Sequence, residues 1–419
     1  MILMISSTLM LLLVSTIFII TKILKARLSP NPHHAPPPLP PGSLGWPVIG
    51  ETMELLRTGR DTNPEKFAME RVEKYGSQLF KTSVLGEKFI FFCGPAENKF
   101  LFSNENKMVI SSWWPNSIKK LFKSCLINAV GDEARMIKRI LMNCLNQEAL
   151  KRYIGRMDSL TQHHISTQWH GKEEVKVYAT VQLYTFELAC SLFASIDDPA
   201  QLSRLSAEFD VFLKGVIALP FNMPGTRFYR ATRAANVIRD ELLLIARQRK
   251  VALDKEMVSS TQDLVSHMLV TKDASGRQLS EMEIVDNTLL LLFAGHDTTR
   301  SAITSVMKYL GELPEVYAKV LEEQTDIAKS KEPGELLKWE DIQKMRYSWN
   351  VVSEVLRLSP PVRGGFREAI ADFTYAGYTI PKGWKVLITF SCSLRVHMRI
   401  VFDQSTSNIK PLYVAIDII

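Results

Sequence analysis

The sequence predicts a mainly α chain with small β-sheets, an α+β fold, behind a single N-terminal transmembrane helix. Three observations carry this. Helix-period apolar patterns dominate from Ala134 to Leu358. Runs rich in β-formers are confined to Leu79–Phe92 and Gly364–Trp384. Ile2–Thr21 carries no charge and is dense in Leu, Ile, Met and Val; as a helix it would span about 30 Å, the thickness of a bilayer's hydrocarbon core.

Lys22, Lys25 and Arg27 follow that apolar run at once, and nothing basic precedes it except the amino terminus. A basic flank stays cytosolic, which sends the N-terminus to the lumen. A cleaved signal peptide is the weaker alternative, because the run is long and lacks a basic leader. Residues 1–27 are therefore expected to be an anchor. Residues 28–47 hold the proline-dense Pro30–Pro47, which can form neither helix nor interior strand and reads as a stiff stalk. Residues 48–397 would form the body, and residues 398–419 a divergent tail.

The 419 residues are 46% hydrophobic, enough for one large core or two moderate ones. The net charge of +7 suits an anionic membrane or an acidic protein partner. No nucleic-acid-reading motif accompanies it. Five scattered cysteines, odd in number and never in C-x-x-C spacing, read as reduced thiols facing the cytosol.

Within the body, Leu79–Phe92 reads as a hairpin turning at Gly86-Glu87, and Pro95 opens a helix. Helical periodicity then marks Ala134–Leu145, Thr180–Phe193, Leu202–Lys214, Arg230–Lys255 and Thr261–Val270. Leu219–Arg230 mixes prolines, aromatics and arginines; a membrane-dipping segment, a channel lip and a plain loop all fit it. Pro314 starts another helix, and Trp339–Leu358 is expected to be one further helix, carrying Glu354 and Arg357 three apart on one face. Ser359-Pro360-Pro361 ends it, before short strands with turns at Ala376-Gly377 and Lys382-Gly383.

The chemistry concentrates in Leu289–Ile303, LLLLFAGHDTTRSAI. An apolar helix here meets Gly295, Asp297, Thr298 and Thr299 where core packing would continue. Interior glycine costs up to about 1 kcal/mol against alanine, and a buried carboxylate needs a partner. Ala294 and Gly295 would leave room for a flat cofactor or small ligand against the backbone. Thr298 would bond back one turn and open the helical ladder. Asp297 and Thr298 would then form an acid–alcohol pair that hands protons into a dry cavity. His296-Asp297 raises the alternative of a metal phosphohydrolase, but no further ligands stand at metal-site spacing, so no metal-ion ligands are assigned.

Taken in order, the anchor, PPGSLGWPVIG (Pro40–Gly50), AGHDTT (Ala294–Thr299), the pair Glu354/Arg357, FREA (Phe366–Ala369) and AGYTIPKGW (Ala376–Trp384) resemble the cytochrome P-450 family, membrane-anchored haem-thiolate monooxygenases. GRDTNPEKFAMERVEKYG (Gly59–Gly76), FKTSVLGE (Phe80–Glu87), WWPNS (Trp113–Ser117) and GDEAR (Gly131–Arg135) resemble the plant branch that oxidises triterpenoid and related skeletons. That resemblance implies a β-amyrin 28-oxidase-like or taxoid hydroxylase-like activity on a small apolar terpenoid, with haem, dioxygen and an NADPH-dependent reductase. It implies an endoplasmic reticulum membrane protein with its catalytic domain in the cytosol. Asp297 and Thr298 would relay protons, Arg367 would bond one haem propionate, and Lys138 or Arg139 the other. Glu354 and Arg357 would lock the core behind the haem with a second arginine from a later loop, and His296 would line the pocket.

The same resemblance calls for a meander, a loop F-x-x-G-x-R-x-C-x-G holding the axial cysteine, and a long helix beneath the haem. The sequence from Met398 onward matches none of these. Cys392, in Phe390-Ser391-Cys392-Ser393-Leu394, lacks the surrounding glycines and arginine and reads as an ordinary thiol. The expectation is a chain truncated before the thiolate loop, marginally folded, that binds haem weakly or not at all. The competing class is a non-catalytic membrane-anchored isoform that competes for the reductase or partner enzymes, or an inert product.

Overall fold

The computed structural model describes residues 37–390, apart from residues 48, 60–64, 85, 112–113 and 274. The anchor, the stalk as far as residue 36, Cys392 and the tail lie outside the described residues.

Helices α1 (Thr52–Gly59) and α2 (Lys66–Tyr75) lead into a hairpin of β1 (Leu79–Val84) and β2 (Glu87–Phe92). Val84 pairs with Glu87, so Glu87 opens the second strand and the turn lies one residue earlier than expected. Then follow α3 (Pro95–Ser103), β3 (Val109–Ile110), α4 (Asn116–Phe122), α5 (Gly131–Cys144), α6 (Gln147–Gln168), α7 (Val177–Ala194) and α8 (Pro199–Val216). Next come α9 (Arg227–Asp254), α10 (Leu264–Val270), the 32-residue α11 (Glu281–Glu312), α12 (Pro314–Lys329), α13 (Trp339–Lys344) and α14 (Arg346–Leu358). The chain closes its described part with β4 (Gly364–Ala369), β5 (Phe373–Tyr375), β6 (Tyr378–Ile380) and β7 (Lys385–Thr389).

Local chemistry explains most boundaries. Asp198, Thr226 and Asp263 each cap a helix by accepting a backbone N–H from the first turn. Thr226 therefore draws Arg227–Arg230 out of the expected loop and into α9. Ala376 and Gly377 sit at φ 48° and 79°, the two consecutive positive angles of a tight hairpin turn between β5 and β6.

One expected helix is two. Trp339–Leu358 breaks at Met345, which takes a non-helical ψ of 54°. The cause is tertiary: the Glu323 carboxylate on α12 accepts the backbone N–H of Tyr347 at 2.7 Å and of Ser348 at 2.9 Å. A carboxylate at that place satisfies orphan amides and suits the positive end of the helix.

The five-stranded sheet has the order β1-β2-β7-β4-β3, with β2 and β7 parallel. Side chains alternate across it: Ile90 and Phe92 pack with Val386 and Ile388, while Phe89 and Phe91 pack with Phe67 and Phe80. The larger core gathers α4, α5 and α7 to α11 around Phe122, Phe186, Phe209, Phe212 and Leu289–Leu292. Each such buried side chain contributes roughly 1.5–3 kcal/mol against exposure. Trp114 packs on this helical core and meets Phe366 of the sheet edge-on at 6.0 Å, joining the two.

Among the described residues no single helix is long and apolar enough to cross a membrane.

Candidate active site

Helix α11 starts on a capping box, in which Ser280 and Glu283 each bond the other's backbone N–H. Its leucines at 289–292 are buried in the core, which fixes the register of the polar segment that follows. Thr298 Oγ1 donates to the Ala294 carbonyl at 2.5 Å, the back-bond expected one turn earlier. The helix runs on through Ala294–Thr299 to Glu312.

A side chain at Gly295 would meet the Phe193 ring of α7 at 3.4 Å. Phe193 thus stands beside Gly295 at ordinary van der Waals distance, and Ala294 and Gly295 are both only partly buried. His296 lies in the protein core, 1% exposed, edge-on to Phe186 at 5.7 Å and Phe209 at 5.6 Å. Its Nδ1 is 2.9 Å from Thr185 Oγ1. The Thr185 hydroxyl proton has Val181 and Gln182 carbonyls within reach, so the simplest network has His296 Nδ1–H donating to Thr185. Burial first, and the nearby Arg300 second, push the imidazole down to about 4. The ring is thus held neutral.

Asp297 pairs with Arg300, three residues on; its side chain is 49% exposed and that of Arg300 only 9%. Arg300 also lies over the Tyr178 ring, 4.3 Å from its centroid. Arg300 stands three residues after Asp297, and that helical spacing is the signal in the sequence for their pairing.

Arg367 on β4 is largely buried and bonds Glu105 Oε2 through Nε at 2.5 Å and the Phe366 carbonyl through Nη1 at 2.8 Å. Glu105 Oε1 is buried with no partner among the described groups. On α5, Lys138 is half-buried and Arg139 exposed, while Met136, Ile137, Ile140 and Leu141 enter the helical core. The elements carrying these residues meet through rings. Phe122 lies 5.1 Å from Phe293, the neighbour of Ala294, and Trp114 packs on Phe366, the neighbour of Arg367. On α14, Glu354 and Arg357 form a two-point pair at 2.8 and 2.5 Å, both side chains partly buried. The second arginine expected to join them is called for beyond the described residues.

The chemistry of these residues fits a haem. Arg367 offers a guanidinium to a propionate, the charge-assisted geometry that carboxylates favour, and Thr298 with Asp297 offers polar groups on an otherwise apolar helix. The described thiols do not fit as a sulfur ligand. Cys93, Cys125 and Cys190 are buried, and burial pushes Cys125 up to about 12 and Cys190 up as well. A cavity of about 450 Å³ whose mixed lining includes Asp158, Gln324, Ile327, Lys331 and Leu337 contains none of the candidate residues.

Residues 40–396 match the family described as Cytochrome P450. The beta-amyrin 28-monooxygenase of Solanum lycopersicum is 53% identical over 348 residues, 83% of this chain and 73% of the relative. That of Vitis vinifera is 51% identical over 354 residues, 84% and 74% of the two chains. The protopanaxadiol 6-hydroxylase of Panax ginseng is 44% identical over 382 residues, 91% and 78%. The solved structure of retinoic acid bound cyanobacterial CYP120A1 superposes with a TM-score of 0.76 at 33% identity, covering 85% of this chain and 78% of that one. With a family match over most of its length and relatives at half identity, the chain belongs to the cytochrome P450 family.

Proposed function

We propose that this chain is a triterpenoid oxidase, hydroxylating an apolar skeleton of the β-amyrin class with dioxygen and with electrons that an NADPH-dependent reductase delivers. The observation that carries this is the agreement of relatives: beta-amyrin 28-monooxygenases of several plants match it at 50–53% identity. The residues around Ala294 are apolar, with Phe122, Phe212 and Phe293 packed ring to ring beside it, which suits such a substrate. The anchor and stalk read from the sequence would hold the enzyme on the endoplasmic reticulum, where an apolar substrate concentrates.

Bound haem, the family's cofactor, supplies the oxygen-activating redox chemistry. The chain's own residues handle binding and protons. Arg367 would hold a propionate, with Lys138 or Arg139 as the partner for the other. Asp297, half exposed, would take the outer, water-facing place in the relay, and its pairing with Arg300 fixes where that carboxylate stands. The Thr298 hydroxyl, held on the Ala294 carbonyl, is next to it and can pass the proton inward. Glu354 and Arg357 would brace the layer behind the cofactor.

A second reading, a non-catalytic chain that occupies the reductase, is favoured by the thiols of Cys125 and Cys190, both pushed up by burial. The test is expression of the full chain with a plant reductase in microsomes supplied with β-amyrin. The expected result is a β-amyrin derivative oxidised at C-28 together with the carbon monoxide band that gives the family its number. Co-purification with the reductase, without that band or product, would instead establish the non-catalytic reading.

A further inference from the structure

We propose that Asp286, Asn287 and Arg239 form a polar clamp that fixes the loop between α4 and α5 beside the Phe293–Ala294 face of α11, and so sets which carbon skeleton the site accepts. This rests on the triterpenoid reading above.

Asp286 and Asn287 are consecutive polar residues in the most apolar part of α11, 1% and 0% exposed. Such groups are tolerated only when bonded. Their partners beyond α11 are shared with one short stretch of backbone. Ser124 N–H donates to Asp286 Oδ2 at 2.9 Å, and Leu126 N–H donates to Asn287 Oδ1 at 3.0 Å. Arg239 of α9, 4% exposed, binds Asp286 Oδ1 at 2.5 Å and reaches the Leu121 carbonyl with its other arm. Asn287 Nδ2 returns to the Glu283 carbonyl at 2.7 Å, so its amide orientation is set by both bonds.

The loop carries strain as well. Lys123 sits at φ 38° and ψ −110°, a conformation L-residues avoid, immediately before Ser124. Such a residue persists where its surroundings over-determine it, as they do at functional sites. Asn128 closes the loop on itself, donating to the carbonyls of Lys119 and Lys123 at 2.9 and 2.6 Å. What the clamp holds in place is apolar: Leu126 and Ile127 pack against the same core as Phe293, and Phe122 touches Phe293 directly. Rigid polycyclic hydrocarbons differ from one another in shape rather than in polar groups. A wall that tells them apart must therefore be held still by something outside the pocket.

The experiment uses the full 419-residue chain in lipid nanodiscs. Asn287→Leu keeps volume and removes both side-chain bonds; Asn287→Asp, its carboxyl kept neutral by burial, keeps them. Amide exchange at Leu126 and equilibrium binding of β-amyrin and of cholesterol are measured for each. Asn287→Leu is expected to speed Leu126 exchange about tenfold and to shrink the ratio of the two affinities by about the same factor, the effect of one lost buried bond. Asn287→Asp is expected to match the wild type in both. Unchanged exchange in Asn287→Leu overturns the clamp, and faster exchange with an unchanged ratio overturns its role in specificity. Should Asn287→Leu not fold, a departure of Asn287→Asp from the wild type in either readout overturns the proposal. Failure of the wild type to bind β-amyrin would sink the triterpenoid reading alone, because the exchange result still decides the clamp.

Discussion

Two aspartates on one helix have opposite fates. Asp286 is 1% exposed and tied to a guanidinium from α9 and to a loop amide. Asp297 has a half-exposed side chain and pairs with Arg300 of its own helix. The first is bonded at both oxygens by parts of the chain far apart in sequence, so it cannot change partner without disturbing the core. The second can turn to water at small cost. Burial with full bonding makes a carboxylate structural, and partial exposure with one partner leaves it within reach of water. The same division runs along the helix: every buried residue of α11 lies at or before Arg300.

The contrast breaks most sharply if each acid is removed in turn. Asp286→Ala strands the buried Arg239 charge and two polar contacts, a change of the kind that costs about 3–5 kcal/mol. Urea unfolding of the full chain should show a loss of that size, with Arg239→Ala as large and the double variant far short of additive. A loss under about 1 kcal/mol would mean that solvent reaches the pair.

His296 sharpens the comparison through pH. Its folded pKa of about 4 lies below the ordinary 6.5, so the unfolded chain takes up the proton first as pH falls. Its contribution to stability is therefore whole above pH 6.5, declines toward pH 4, and is constant below that. The shift corresponds to roughly 3 kcal/mol over the window. Unfolding free energies of the wild type and His296→Leu should converge by about that much as pH drops through this range. Parallel curves would show that the ring charges without penalty in the folded chain.

How much of this was legible beforehand follows from whether the cause is local. The hairpin at β1 and β2, the turn at Ala376-Gly377 and the helix around Ala294–Thr298 rest on turn chemistry and short-range periodicity, and the sequence displays both. The break at Met345 rests on Glu323, a carboxylate from another helix, and nothing near residue 345 announces it. Arg367 was singled out, but its partner Glu105 stands 262 residues away. At Gly295 the sequence displays the oddity, while its neighbour Phe193 is brought up only by the fold. Asp286 and Asn287 offered a signal, two adjacent polar residues three positions before the leucine run at 289–292, and it went unused because their partners are backbone amides.

The smallest expected effect is at Asp297, and its smallness is the point. Asp297→Asn removes only the half-exposed charge of the pair and keeps an oxygen to accept from Arg300, whose side chain is 9% exposed and keeps its place over the Tyr178 ring. Exposed ion pairs contribute about 0.2–1 kcal/mol, and a cation over an aromatic face retains a similar amount. Stability should therefore fall by less than about 1 kcal/mol, and raising the salt concentration should narrow the difference further, because solvent-facing charges are screened. The loss at Asp286→Ala should hardly respond to salt, since its pair is buried. Unfolding both variants in low and high salt sets the two acids side by side. Equal salt responses would mean that Asp297 is as firmly held as Asp286, and an acid held that firmly could not serve as the proton entry to Thr298.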